Sequence, residues 1–222
     1  MNDNRLGGVA LILGALSGVT TMSLHPVTGG HPITPVQFEK LTGLLIGVHA
    51  LAIAGLPLSF LGALVLARRL DSPARVGLLA LVIYALGLIA VMIAPAMSGL
   101  VGTEVLRHII ARGPDREQWH TLMEYNFLIN QAFARIFVVA SCAAIGLWSF
   151  EIVRRRSVFP IASGLYGLLL APGLIFAMIT GSLRLDVHGF GLIIFGQAIW
   201  FIVLGVLLFR TTNGAPGVSL AA

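Results

Sequence analysis

Six apolar runs, each near or above the roughly 20 residues that carry a helix across a bilayer, constrain this chain more than any motif in it. They are about Leu6–Met22, Leu41–Ala67, Val76–Val101, Leu122–Ile152, Val158–Leu183 and Gly189–Phe209. Little chain is left between them. With 57% hydrophobic and 10% charged residues and a mean hydropathy of +0.95, an ordinary soluble domain is excluded. In lipid every backbone polar group must be paired within the protein, and a helix does this by itself. The sequence therefore predicts an all-α integral membrane protein, with six transmembrane helices in one bundle and a single domain over residues 1–222. The first run has neither a strong basic leader nor an Ala-x-Ala cleavage site, so it reads as a retained helix rather than a signal peptide.

The isoelectric point near 10.3 invites a nucleic-acid partner, but the cations map to helix ends instead. With the N-terminus inside, Arg5, Arg68, Arg69, Arg75, Arg154, Arg155, Arg156 and Arg210 are cytoplasmic. Lys40, Arg107, Arg112, Arg116 and Arg184 are outside, and Arg135 falls within a helix. That bias follows the positive-inside rule, places both termini in the cytoplasm, and makes basicity a report on topology. A bilayer is the expected partner, and nucleic acid is not. The single cysteine, Cys142, permits no intrachain disulfide and reads as a small packing residue.

The fourth run carries unusual polar cargo: His120, Glu124, Asn126, Asn130, Gln131 and Arg135. At about 100° per residue, His120, Glu124, Gln131 and Arg135 fall near one line down the helix. Arg135 lies roughly 16 Å deeper than Glu124. A guanidinium at that depth costs at least about 2.5–3.5 kcal/mol unless protein, water or a counter-charge receives it. The functional expectation is an anion clamp; the structural one is an arginine bonded to interhelical carbonyls beside Asn130 and Gln131. His49, roughly 12 Å inside helix two, is a candidate proton acceptor or a satisfied packing histidine. Gln197 and Trp200 on helix six are candidate lining residues of the same cavity.

All six histidines lie on the outer side of this topology: His25, His31, His49, His108, His120 and His188. Between helices three and four, Arg112-Gly113-Pro114-Asp115 reads as a stop followed at once by a start. Asp115 and Gln118 have capping-box spacing there. Helices three and four are thus expected to form a hairpin projecting outside the bilayer. Glu104 and His108 are four apart, as are His120 and Glu124, so each pair shares one helix face. If those faces meet, the four residues are candidate ligands for Zn, Fe or Mn, since facing Glu and His side chains build carboxylate-type metal sites. A polar site without metal and solvated surface pairs are the competing expectations. Haem between two histidines is disfavoured, because no second histidine matches the depth of His49. Met22, Met97, Met123 and Met178 near outer helix ends raise copper, although methionine is also ordinary helix filler.

Packing signals are Gly14-x-x-x-Gly18 and Gly43-x-x-x-Gly47, with kinks expected at Pro57, Pro95 and Pro172. Gly87-Leu-Ile-Ala-Val-Met-Ile93 resembles Gly173-Leu-Ile-Phe-Ala-Met-Ile179, which suggests two related hairpins and sets His49 opposite Arg135. Arg5-Leu-Gly-Gly-Val-Ala-Leu and the stretch from Gly146-Leu-Trp through Arg156-Ser-Val-Phe-Pro160-Ile-Ala-Ser-Gly164 resemble small bacterial six-helix membrane proteins that carry a domain of unknown function. The resemblance covers about a fifth of the chain, implies a bacterial inner membrane and implies no activity.

The sequence leads to an inner-membrane protein with an outward-facing polar cavity. In the first reading it is a metal-binding membrane enzyme or redox protein. Arg135 and His49 are then the catalytic candidates, Asn130, Gln131 and His188 line the ligand, and Glu104, His108, His120 and Glu124 hold metal. The alternatives are a small proton-coupled transporter of an anionic solute, with Arg135 and His49 at its midpoint, and a non-catalytic subunit of a larger membrane complex.

Overall fold

The computed structural model describes residues 3–26, 34–70, 75–111, 114–155 and 159–211. In order these form α1 (Asp3–Leu24), α2 (Pro35–Arg69), α3 (Val76–Pro95), a π-helical segment (Ala96–Val101), α4 (Gly102–Ile110), α5 (Arg116–Arg155), α6 (Ile161–Ile179) and α7 (Val187–Arg210). There is no strand among the described residues. From Val76 to Ile110 the helix is one rod, so six rods are long and apolar enough to cross a membrane. His31, the Arg112–Gly113 turn and Arg156 lie outside the described residues.

Local chemistry explains where the helices depart from the apolar runs. α2 starts six residues before Leu41, because Thr34 and Gln37 form a capping box and Pro35 occupies the first helical position. The Thr34 hydroxyl accepts from the Gln37 amide at 3.3 Å, and the Gln37 side chain accepts from the Thr34 amide at 3.0 Å. α6 ends at Ile179, short of Leu183. There the Thr180 hydroxyl turns back to the Phe176 carbonyl at 3.0 Å, and Gly181 takes a φ of +73°, which an L side chain resists. α5, at 40 residues, is about 60 Å long, twice a hydrocarbon core.

Consecutive rods pack antiparallel, and α1 closes the bundle against α7. Glycine makes both seams of α1. A Cβ at Gly14 would lie 2.8 Å from the Ser59 amide nitrogen, and one at Gly62 would lie 2.6 Å from the Leu11 nitrogen. Across the other seam, a Cβ at Gly205 would lie 2.8 Å from the Gly8 carbonyl oxygen. The Arg5 guanidinium sits 5.8 Å over the Phe209 ring, joining the start of α1 to the end of α7. Of the two glycine motifs, Gly14/Gly18 is therefore an internal packing device. Gly43 and Gly47 meet no neighbour within 4 Å, so close packing within the chain does not use the second motif. The paired hairpins also differ where they should match. A Cβ at Gly87 would lie 3.0 Å from that of Ala140, whereas Gly173 faces open space; His49 is buried and Arg135 exposed.

One end of the bundle, the basic end, carries Arg68, Arg69, Arg154, Arg155 and Arg210 in last helical turns. Its core is dense: Leu66, Leu70, Trp148, Ile152, Leu204 and Leu208 have no exposed surface. Tyr84, Trp148, Trp200 and Phe201 form an aromatic layer, with ring centroids 5.4–6.2 Å apart for the pairs Tyr84–Phe201, Tyr84–Trp148 and Trp148–Trp200. Both indole N–H groups are satisfied, Trp148 by the Gly77 carbonyl at 3.1 Å and Trp200 by the Ser163 carbonyl at 3.0 Å. Glu151, fully buried, reaches Arg154 at 2.9 Å and Arg155 at 3.2 Å. Cys142 is a free, buried thiol that receives the Gln197 amide at 3.6 Å.

Candidate functional site

Above the aromatic layer the rods diverge, and a cavity of about 410 Å³ lies between α1, α2, α3, α5 and α7. Its volume falls within the range of small-molecule sites. Leu11, Tyr84 and Phe201 form the floor, and Leu88, Val91 and Phe137 belong to the apolar wall. Polar groups gather at the opposite, histidine end: His25, His49, Asn130, Gln131 and the exposed Asp186. α6 supplies none of the lining residues.

His49 is 3% exposed and is held from three sides. Its Nδ1 donates to the Leu45 carbonyl one turn back, at 2.6 Å. Its ring lies against Gly99 of the π-helical segment, where any Cβ would run into the His49 Cβ, Cγ and Nδ1. Its Nε2 faces His25 Nε2 at 3.3 Å. His25 follows the last residue of α1, and its own Nδ1 donates to the Pro26 carbonyl at 3.2 Å. Burial pushes the His25 pKa below its ordinary 6.5, against the opposing pull of that carbonyl. The ring centroids are 5.0 Å apart and nearly perpendicular, so both Nε2 atoms lie between the rings. Pro95 borders the π-helical segment and the cavity, a place where such helical irregularities recur at functional sites.

Several of the other cavity polar groups are tied to the scaffold. Thr21 donates to the Val48 carbonyl at 3.2 Å and Ser98 to the Ala94 carbonyl at 3.0 Å. Gln131 donates to the Leu185 carbonyl at 2.9 Å, fastening α5 to the start of α7. Gln197 donates to the Ser141 hydroxyl at 2.8 Å. Asp186 caps α7 through the Gly189 amide at 2.8 Å.

The sequence candidates thus divide. His49, Asn130, Gln131 and Gln197 share the cavity, whereas Trp200 lies in the aromatic layer beneath. Arg135 does not line the cavity: it is exposed and has no partner among the described residues. Its level explains why that is tolerable. Gly164 packs on Val153 and Gly167 on Ser149, and continuing that antiparallel register brings Arg135 level with Thr180, just past the end of α6. Counted from Arg154, the roughly 20 residues of one membrane crossing also end near Arg135.

The four-ligand metal expectation needs correction. Among the described residues no three His, Cys, Asp or Glu side chains come together. Glu104 pairs within α4, with Arg107 and with His108 at 3.4 Å. His108 then stacks flat on Trp119, with centroids 4.1 Å apart, so the indole takes the place where a facing histidine was expected. His120, Glu124 and His188 are exposed and outside the cavity lining. His25 went unrecognised because it lies in a Pro- and Gly-rich stretch. It reaches His49 from just beyond the last residue of α1, not from within a second helix. The one available signal was proximity: His25 follows directly on the first apolar run.

Comparison with protein-family models, with curated proteins and with solved structures finds no match to this chain.

Proposed function

We propose that this chain is a multi-pass protein of the bacterial inner membrane whose bundle receives a small, largely apolar molecule with a polar head. The basic end is cytoplasmic by the positive-inside rule, so both termini are inside and the histidine end is periplasmic. The end of α4 and the start of α5 then stand outside the hydrocarbon as a projecting hairpin, because α5 is twice the length needed to cross it. The cavity carries this reading: a mostly apolar wall, a floor of Leu11, Tyr84 and Phe201, and His25, His49, Asn130 and Gln131 at the opposite end. The apolar body of a ligand would lie over Tyr84 and Phe201, with its head at the histidines. The dense layer beneath the floor favours a site entered from one side over a through-path for a carried solute. An anionic solute is disfavoured because no Arg or Lys among the described residues, Arg135 included, lines the cavity.

Tryptophan emission of the full chain in dodecyl maltoside tests the proposal, since Trp200 packs against Phe201 of the floor at 5.1 Å. Decanol should change the emission saturably, and Ala134→Leu, which fills the cavity from α5, should abolish the saturable part. An unsaturable change of equal size in both proteins would overturn the reading.

A further inference from the structure

We propose that His25 and His49 hold a single copper(I) ion between their Nε2 atoms, with the Met22 thioether as the third donor. Two geometric observations and the donor set lead there, and none depends on the ligand that occupies the cavity below.

The tautomers come first. Each Nδ1 lies against a backbone carbonyl, Leu45 for His49 and Pro26 for His25, so each ring places its proton there. Both Nε2 atoms then present lone pairs, and they present them to each other at 3.3 Å. At 3.3 Å the two nitrogens are also within hydrogen-bond reach, but a bond between them requires an extra proton, making one ring an imidazolium, or the release of one Nδ1 from its carbonyl. Metal-binding histidines characteristically fix the free nitrogen in this way, by donating the other N–H to a carbonyl.

Spacing comes second. Two metal–nitrogen bonds of about 2 Å meeting at a trigonal or tetrahedral angle hold their nitrogens about 3.3–3.5 Å apart. The observed 3.3 Å fits that arrangement. A metal held in line between the rings, as in a bis-histidine haem, needs about 4 Å and does not fit.

The donor set selects the ion. No carboxylate or thiol joins the pair among the described residues. Asp186 shares the cavity rim, but one of its oxygens caps α7 and the residue is exposed. Met22, three residues before His25 in the last turn of α1, lines the same cavity, with its methyl group 3.8 Å from the Cβ position of Gly191. Two neutral imidazoles and a thioether suit soft copper(I), whereas zinc demands three or four stronger donors. A single positive charge is also less costly than a double one beside an apolar wall.

The test is competition for copper(I) between the full chain in dodecyl maltoside and bicinchoninate, under reducing conditions, with zinc(II) measured in parallel. The expected result is one equivalent of copper(I), bound at least about 100-fold more weakly by His25→Ala, a larger loss than carbonyl partners of ligands usually carry. Met22→Leu should weaken binding roughly tenfold while leaving zinc(II) unchanged. His49→Ala should behave as His25→Ala. Should it fail to fold, His25→Ala and Met22→Leu decide the matter, since neither side chain belongs to the dense core. No copper binding, equal binding by His25→Ala, or a preference for zinc(II) would each overturn the assignment. Decanol binding measured on the same samples distinguishes failure of the copper site from failure of the cavity reading.

Discussion

Gly99→Ala offers the sharpest perturbation of the site, because it changes one methyl group at the contact between the π-helical segment and His49. The new Cβ would coincide with the near end of the imidazole, its Cβ, Cγ and Nδ1. Those atoms cannot step aside as a flexible side-chain tip would. One escape is rotation of His49, which breaks the 2.6 Å bond to Leu45 and strands a buried polar pair at about 1–3 kcal/mol. The other is separation of α2 from the π-helical segment, an overpacking cost of about 1–3 kcal/mol. Replacing a helical glycine by alanine returns up to about 1 kcal/mol. The net expectation is a loss of about 1–2 kcal/mol, or about 2–8 °C in Tm for a chain of this size. Thermal unfolding in dodecyl maltoside reads the stability and the bicinchoninate competition reads the site, which should weaken with it. The swap His49→Gly with Gly99→Ala should recover at least about 0.5 kcal/mol relative to the sum of the single changes. Wild-type stability and copper affinity in Gly99→Ala would refute the seating of the imidazole on the π-helical segment.

Other glycines should divide by seam. Gly14→Ala and Gly62→Ala, facing backbone at 2.8 and 2.6 Å, should each cost about 1–3 kcal/mol in the same thermal assay. Gly43→Ala and Gly47→Ala, with nothing within 4 Å, should be neutral or stabilising by up to about 1 kcal/mol; destabilisation would reveal a neighbouring chain on that face. Ala134→Leu should raise stability by about 0.5–2 kcal/mol by filling the cavity, and a loss would show that no room exists there. Arg135→Leu should change stability by less than about 0.5 kcal/mol and leave decanol binding intact. Lost binding would return Arg135 to the site.

The six rods were legible because a bilayer permits so few structures, and hydropathy over some twenty residues suffices to find them. Helix ends were less so. The Thr34/Gln37 capping box and the Thr180–Gly181 stop are readable in retrospect, but the apolar runs pointed several residues away from each. The cavity was legible only in its α2, α5 and α7 parts, through His49, Asn130, Gln131 and Gln197. Its α1 contribution was hidden, because glycine contacts set which face of α1 turns inward, and sequence spacing does not report them. Arg135 misled for a related reason. Its spacing put it in line with His120, Glu124 and Gln131, but in the structure it is exposed and turned away from the cavity lining. The π-helical segment leaves no clear mark beyond Pro95, yet it seats His49.

The closure of α1 on α7 also bears on how the protein is made. Gly8 and Gly205 meet across the seam although nearly the whole chain separates them. Contacts of such high sequence separation form late, since the intervening chain must be ordered before they add stability. At a synthesis rate of about 5–20 residues per second, α1 waits on the order of 10–40 s before its last neighbour emerges. Until then the glycine-lined face of α1 is open to lipid, to insertion factors or to other nascent chains, and the cavity lacks a wall. On the proposed function, binding competence is therefore acquired only once α7 has joined α1, which makes the α1–α7 seam a natural checkpoint in assembly of the bundle.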